Sequence, residues 1–200
     1  MVEISKGSLA KLLSSLQNFE NQKVSVEQYP TPSELAAEVL WQANLQGDID
    51  EKSVLDLGAG TGILGIGAAL LGGKVTLVEQ DGEALALAKQ NATEAGVEVQ
   101  TAQVLIEDYA EKADTIIMNP PFGTKQKHAD RDFLDKAFSL APVVWSMHKT
   151  STHPFILAYA QKAGFTATFF PATIQLPHSQ SFHKKPVKPV EITVYRFIRP

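Results

Sequence analysis

The sequence predicts an α/β fold in which a parallel, doubly wound sheet carries helices on both faces. Apolar, strand-like stretches alternate with amphipathic helical stretches from residue 53 onward. A glycine-rich turn directly follows the first strand, and sheets of this kind bind ligands where their strands end. The chain has 200 residues, of which 44% are hydrophobic and 20% charged, as expected for a single globular domain.

Each predicted element is bounded by a turn signal or by a change in hydrophobic period. We expect strands at 53–57, 74–79, 97–104, 113–118, 143–147, 165–170 and 190–198. Helices are expected at 62–71, from a cap at 81 to 96, around 133–140 and in a stretch ending at 164. Ahead of this core, five apolar residues at helical spacing predict an amphipathic helix: Leu9, Leu12, Leu13, Leu16 and Phe19.

The composition excludes several classes of protein. Without cysteine the chain has neither disulfides nor thiolate metal sites, and its five histidines lack metal-ligand spacing, so we predict no metal. No apolar run approaches the roughly 20 residues that span a bilayer, and we expect a soluble, cytoplasmic protein.

The net charge is −4, yet residues 178–200 carry five basic residues and one acid. This basic end is consistent with a local phosphate-binding site or with a solvated terminus.

A glycine-rich turn, Asp56-Leu-Gly-Ala-Gly-Thr-Gly62, leads from the first strand into the first core helix. Glycine lets backbone N–H groups approach a ligand without a Cβ in the way. Glu79, at the end of the next strand, can accept both hydroxyls of a ribose. Because the glycines also match the dinucleotide fingerprint, the turn alone leaves a nicotinamide enzyme open. Asp56 favours a ligand that carries an amine, such as S-adenosylmethionine, over a pyrophosphate.

A second motif, Asn119-Pro120-Pro121-Phe122, directly follows the apolar stretch at 113–118. Proline has no backbone N–H, so the Asn119 side-chain oxygen and the Pro120 carbonyl form a rigid pair of acceptors beside the aromatic Phe122. This pair fits a planar –NH₂ group attached to a π system, as in adenine. Catalysis there consists mostly of positioning and electrostatics, without a strong general base. The alternative is a loop whose prolines merely end a strand.

Both motifs resemble those of class I S-adenosylmethionine-dependent amino-methyltransferases. Four segments further resemble the methyltransferase-like protein 5 family of archaea and eukaryotes: Glu27-Gln-Tyr-Pro-Thr31, Asn119-Pro-Pro-Phe-Gly-Thr-Lys125, His148-Lys149 and Phe182-His-Lys-Lys185. The resemblance implies a Rossmann-like class I methyltransferase fold, with a seven-stranded, mostly parallel sheet, helices on both faces and an N-terminal helical extension. It implies one domain, with helices and a cofactor lid over 1–50 and the core over 51–200.

The same resemblance implies that S-adenosylmethionine methylates adenine N6 in small-subunit ribosomal RNA, with Asn119, Pro120, Pro121 and Phe122 as the catalytic motif. The predicted cofactor-binding residues are Gln28, Tyr29, Thr31, Asp56, Gly58, Gly60, Thr61, Gly62, Ile63, Glu79, Gln103 and Val104. Gln103 replaces a family aspartate that meets the adenine ring, and its amide can both donate and accept there. Thr31 has an alternative role, since Thr31-Pro-Ser-Glu34 also matches a capping box.

Two expectations concern binding partners. We predict RNA contacts at Lys125, Lys127, His148, Lys149, His183, Lys184 and Lys185; alternatively, these charged stretches are only solvated. The third strand lies at the open edge of such a sheet, and an exposed edge needs cover or a protecting charge such as Glu98. The resemblance implies a heterodimer with a small zinc-binding activator of the Trm112 type, and strand addition would cover that edge.

Other functions remain open on the residues alone. The amine site does not distinguish adenine in RNA from guanine N2, DNA adenine or a protein glutamine, because each presents an sp² nitrogen. A nicotinamide oxidoreductase has no use for Asp56 or for the Asn119 motif. A non-catalytic RNA-binding module does not require the intact Asn119 and Glu79.

Overall fold

The computed structural model describes residues 4–18, 31–121, 129–175 and 189–200. Its strands are β1 (Ser53–Leu57), β2 (Lys74–Glu79), β3 (Gln100–Gln103), β4 (Thr115–Met118), β5 (Val143–Lys149), β6 (Thr166–Gln175) and β7 (Pro189–Ile198). Its helices are α1 (Lys6–Ser14), α2 (Ser33–Leu45), α3 (Ile63–Leu70), α4 (Gly82–Ala95), α5 (Ala129–Leu140) and α6 (His153–Lys162). The predicted α/β class is confirmed.

The described strands form one seven-stranded sheet in the order β3-β2-β1-β4-β5-β7-β6. The first five strands pair in parallel, and β7 runs antiparallel to both β5 and β6. The mostly parallel sheet implied by the resemblance is therefore confirmed. The chain winds outward from β1 in two directions, so the strand order reverses between β1 and β4. Open α/β sheets bind ligands at this reversal.

Two apolar clusters cover the two faces of the sheet. On one face, helices α1 to α4 bury residues such as Leu40 against Leu77 and its neighbours on the strands. On the other face, α5 and α6 bury Leu134 and Ile156. Burial on both faces explains why the parallel strands are continuous apolar runs in the sequence.

β3 is shorter than the predicted strand, because the preceding helix, α4, takes up the first backbone N–H of the predicted stretch. Asp81 caps α4 by accepting from the Glu83 N–H at 3.0 Å, as the sequence predicts. The helix ends at Gly96, whose φ of 71° is left-handed. The Val97 N–H then donates to the Ala92 carbonyl at 3.1 Å and closes the helix end. The strand consequently begins only at Gln100.

The sixth strand is longer than predicted because it continues through Pro171. The sequence predicts an end at Phe170, and the next residue, Pro171, cannot donate to a ladder. Within the described sheet β6 is an edge strand that pairs with β7 alone, and edge strands tolerate proline. Lys149, the last residue of β5, pairs with Ile192, and the β6–β7 pairing runs on to Gln175 and Pro189. The two strands thus project beyond the edge at which the parallel strands end.

A buried carboxylate anchors the N-terminal helices to the core. Asp48, which follows α2, accepts from Nε and Nη2 of Arg196 at 2.6 and 2.9 Å and from Nε1 of Trp145 at 2.8 Å. This bidentate pair holds the end of α2 against β5 and β7. None of the helices in the described ranges has the length and apolar character needed to cross a membrane.

Candidate active site

The reversal of the sheet brings the two sequence motifs together. Because β1 to β4 are parallel, their last residues lie at one edge: Leu57, Glu79, Gln103 and Met118. The glycine turn follows Leu57, and Asn119 follows Met118, on the two sides of the reversal. The structure therefore places the predicted cofactor turn beside the predicted amine site.

The glycine turn folds back against β2 and presents only backbone. The Gly58 N–H donates to the Val78 carbonyl at 2.8 Å. Gly58, Gly60 and Gly62 have φ values of 71°, 55° and 80°, in the region that favours glycine. A Cβ on Gly58 would lie 2.9 Å from Cε1 of Phe133, so a larger residue would also clash. Phe133 on α5 is a neighbour of the turn that the sequence did not reveal.

Glu79 holds this turn at the end of β2. Its Oε2 accepts from the Gly60 N–H and its Oε1 from the Asp81 N–H, both at 2.9 Å. Each carboxylate oxygen has two acceptor positions, so both oxygens can still accept a ribose hydroxyl. The predicted role of Glu79 is therefore compatible with its position.

Asp56 has a different contact from the one we predicted. Its side chain is 1% exposed, and its Oδ2 accepts from the Gly65 N–H at 2.8 Å. Gly65 lies in the first turn of α3, where backbone N–H groups lack partners within the helix. The carboxylate thus closes the start of α3 and is turned into the fold, so the expected direct contact with a ligand amine is corrected. Burial raises its pKa from 3.8 to about 7, and the nearby Glu79 adds to the rise.

This raised pKa predicts a pH-dependent penalty on stability. The folded state holds a proton that the unfolded state releases as the pH rises from about 4 to 7, so the Asp56 contribution to the free energy of unfolding falls over that range. Asp56→Asn keeps an oxygen for Gly65 and does not titrate. We expect wild type to lose stability relative to Asp56→Asn between pH 4 and 7 in urea unfolding. A difference that stays constant with pH would contradict this interpretation.

Gln103 lies beside the start of α4, next to Glu79 in the β2–β3 register. Its amide packs against Gly82, with Nε2 at 2.7 Å from the position of a Cβ on that glycine. Gln103 is exposed and Val104 half-buried. An exposed amide at this strand end offers both a donor and an acceptor to the edge of a ring.

The sequence analysis did not identify Asn91 on α4, which supports the glycine turn by hydrogen bonds. It is fully buried, and its Nδ2 donates to the Thr61 and Gln17 carbonyls, both at 3.0 Å. Its Oδ1 accepts from the Gln17 N–H at 2.8 Å. Asn91 therefore joins the glycine turn to the segment after α1. A lone amide on the alanine-rich, buried face of α4 was the available signal. Thr61 and Ile63, which are predicted to bind the cofactor, also have buried side chains.

Asn119 is held by Thr31 across the reversal. Asn119 is half-buried, and its Nδ2 donates to Oγ1 of Thr31 at 3.0 Å. Thr31 therefore does not form the capping box considered above, because α2 begins after Pro32 and has no side-chain cap. Pro120 is buried and Pro121 half-buried directly after Asn119. The amide of the motif thus lies at the sheet edge.

His148 is not the RNA contact that we predicted. Its ring is 1% exposed, and its Nε2 lies 2.8 Å from Oγ of Ser146. Burial lowers its pKa to about 3, so the ring is neutral at pH 7 and cannot attract a phosphate. Lys149, one residue further along β5, is half-buried at the site edge, and its RNA contact remains a prediction.

Several predicted residues lie outside the described ranges: Gln28, Tyr29, Phe122, Lys125, Lys127, His183, Lys184 and Lys185. Among the residues that are described, no group of three or more His, Asp or Glu side chains is arranged to hold a metal ion.

Comparisons with known proteins agree with this geometry. Residues 32–142 match the family described as the methyltransferase small domain. The rRNA N(6)-adenosine-methyltransferase Mettl5 of Drosophila melanogaster is 35% identical over 98% of both chains. METTL5 of Danio rerio is 37% identical over 94% of this chain and 96% of its own. The chain belongs to the METTL5 family of rRNA N(6)-adenosine-methyltransferases. The crystal structure of a candidate RNA methyltransferase from Pyrococcus horikoshii matches with a TM-score of 0.91 and 40% identity over 99% of both chains.

S-adenosylmethionine is the methyl donor of METTL5-type enzymes, and the site has the chemistry to hold it. Glu79 keeps free acceptor positions for the ribose, and Gln103 offers a polar amide for the adenine edge. The glycine turn supplies backbone without side chains in the way. The cofactor supplies an electrophilic methyl group on a sulfonium, and the sheet reversal places Asn119 next to this set.

Proposed function

We propose that this METTL5-family chain methylates the N6 amine of an adenosine in small-subunit ribosomal RNA. The observation that carries the proposal is the position of Asn119 at the sheet reversal, with its Nδ2 bound to Thr31 and no bond to its Oδ1 from the described residues. The names of the relatives in fly and zebrafish support ribosomal RNA as the class of substrate.

The Asn119 Oδ1 and the Pro120 carbonyl each accept a hydrogen bond from the target –NH₂. Two such bonds orient the nitrogen and raise its electron density, which is otherwise delocalised into the ring. Because the proton leaves after the new N–C bond forms, the chain needs no strong base. Pro120 is buried, and the following Pro121 restricts the Pro120 backbone to an extended conformation, so catalysis rests on preorganised acceptors.

Methyl transfer to ribosomal subunits tests this function. Small subunits that lack the modification are incubated with the chain and tritiated S-adenosylmethionine, with and without a Trm112-type activator, and the RNA is digested to nucleosides. We expect the label in N6-methyladenosine. Label in N2-methylguanosine, or in ribosomal protein instead of RNA, would favour another planar amine.

We infer that the segments after Asn119 and between β6 and β7 contact RNA phosphate. The projection of the β6–β7 hairpin past the site edge supports this, because Lys184 and Lys185 belong to the connection between those strands. We expect Lys184→Glu/Lys185→Glu to weaken RNA binding at least tenfold at moderate salt and to leave the affinity for S-adenosylmethionine unchanged.

The matched control is Lys52→Glu/Lys162→Glu, which changes the charge equally. Lys52 precedes β1 and Lys162 ends α6, so both lie at the opposite edge of the sheet. If the two double variants weaken RNA binding equally, net charge rather than a local contact is responsible.

We propose that a Trm112-type activator binds at β3. Within the described sheet β3 lies at an edge and pairs with β2 alone, and Leu105 beyond it is 45% exposed. A strand added by the partner would cover both features.

A further inference from the structure

Thr31 makes a contact that neither the helix nor the cofactor turn explains. Its side chain is 6% exposed, and its Oγ1 lies 3.0 Å from Nδ2 of Asn119. The start of α2 does not use the hydroxyl, because the helix begins after Pro32 without a side-chain cap. Among the described residues, the hydrogen-bond partner of the hydroxyl is Asn119.

The two ends of the Asn119 amide are not equivalent for the proposed reaction. Its oxygen accepts from a target –NH₂, whereas its nitrogen would place a second –NH₂ against the first. In an Asx turn, an asparagine oxygen accepts from the backbone N–H two residues later. Here that residue is Pro121, and Pro120 precedes it, so neither has an N–H. An Asx turn consequently cannot select the orientation of this amide.

We propose that Thr31 is a positioning residue that fixes the orientation of the Asn119 amide. In the structure its hydroxyl accepts from Nδ2, which leaves Oδ1 for the target amine. The flipped amide, to which the hydroxyl could also donate, is disfavoured because it would place Nδ2 against the target –NH₂. This inference rests on the proposed function, because it assigns the free oxygen to the amine of that reaction. It also differs from the expected contact between Thr31 and S-adenosylmethionine, which would act on cofactor affinity instead of on the chemical step.

Thr31→Val and Thr31→Ser separate these roles. Valine keeps the shape of the buried side chain but leaves Nδ2 without its acceptor, and serine restores the acceptor. We expect Thr31→Val to lower the single-turnover rate of methyl transfer about tenfold, the effect of one hydrogen bond. The Kd for S-adenosylmethionine should stay within twofold of wild type, and Thr31→Ser should recover most of the rate.

The Asn119→Asp background distinguishes positioning of the amide by Thr31 from a purely structural role of Thr31. A carboxylate has an oxygen at either end, so its orientation no longer matters. We expect Thr31→Val, added to Asn119→Asp, to lower the single-turnover rate less than twofold. The reference for this comparison is the rate of Asn119→Asp alone. An equal loss in both backgrounds, a wild-type rate for Thr31→Val, or a rise in the Kd that matches the loss of rate would each overturn the inference.

A spectroscopic measurement tests the contact without using activity. The side-chain amide signals of Asn119, assigned by their loss in Asn119→Asp, should exchange with water several-fold faster in Thr31→Val than in wild type. Equal exchange would overturn the inference even in an active enzyme. Absence of N6-methyladenosine with the wild-type chain would instead overturn the proposed function, and the exchange measurement would still decide the contact.

Discussion

Asn119→Ala is expected to abolish methyl transfer while S-adenosylmethionine still binds. The substitution removes the side-chain acceptor that orients the target amine, and loss of one preorganised polar group in an active site costs about 100- to 1,000-fold in rate. The cofactor elements on β1 and β2 make no hydrogen bond to the Asn119 side chain in the described structure. Single-turnover rates and calorimetric cofactor binding, measured on the same preparations, check both parts.

Asn44→Ala is the matched control for this substitution. Asn44 lies near the end of α2, and its Oδ1 is a buried atom without a hydrogen-bond partner among the described residues. Its loss should leave the rate and the cofactor Kd unchanged. If Asn119→Ala retained more than a third of the wild-type rate, the amine site would have to be elsewhere.

Glu79→Ala should have the second largest effect, on cofactor affinity. The substitution removes the proposed acceptor for the ribose and also releases the Gly60 and Asp81 N–H groups. Hydrogen bonds to a charged group contribute about 1.5–3 kcal/mol, so we expect the Kd for S-adenosylmethionine to rise about 10- to 150-fold.

Glu79→Gln is the control for shape, since it keeps one acceptor oxygen and loses the charge. We expect its Kd to lie between those of wild type and Glu79→Ala. Thermal unfolding of both variants shows whether the glycine turn survives. A Kd for Glu79→Ala within threefold of wild type would exclude the ribose contact.

The core of the fold could be predicted because its strands are buried on both faces. Their apolar runs, separated by helices of the expected period, are a local property of the sequence. The ends of β3 and β6 could not be predicted in the same way. The first depends on a hydrogen bond that closes α4, and the second on the edge position of Pro171.

In the candidate site as well, motifs of neighbouring residues could be predicted, whereas contacts between residues far apart in the sequence could not. The glycine turn and the Asn119 motif are contiguous in sequence, and their positions after two parallel strands follow from the fold. The Thr31–Asn119 bond joins residues 88 positions apart, so no local pattern reveals it. His148 was misinterpreted because only the His148-Lys149 segment of the resemblance pointed to it, and that segment does not show which side chains are buried. The strand reaches Lys149 and is buried on both faces from Val144 to His148, so the ring lies in the interior on the same face as Ser146.

The most direct test of the account is a crystal structure of the chain with a bound S-adenosylmethionine analogue and an adenosine-containing RNA. We expect the adenine N6 to lie about 3 Å from both the Asn119 Oδ1 and the Pro120 carbonyl, with the Asn119 Nδ2 still bound to Thr31. An adenine amine that contacts neither oxygen, or an Asn119 side chain turned away from the bound base, would contradict it.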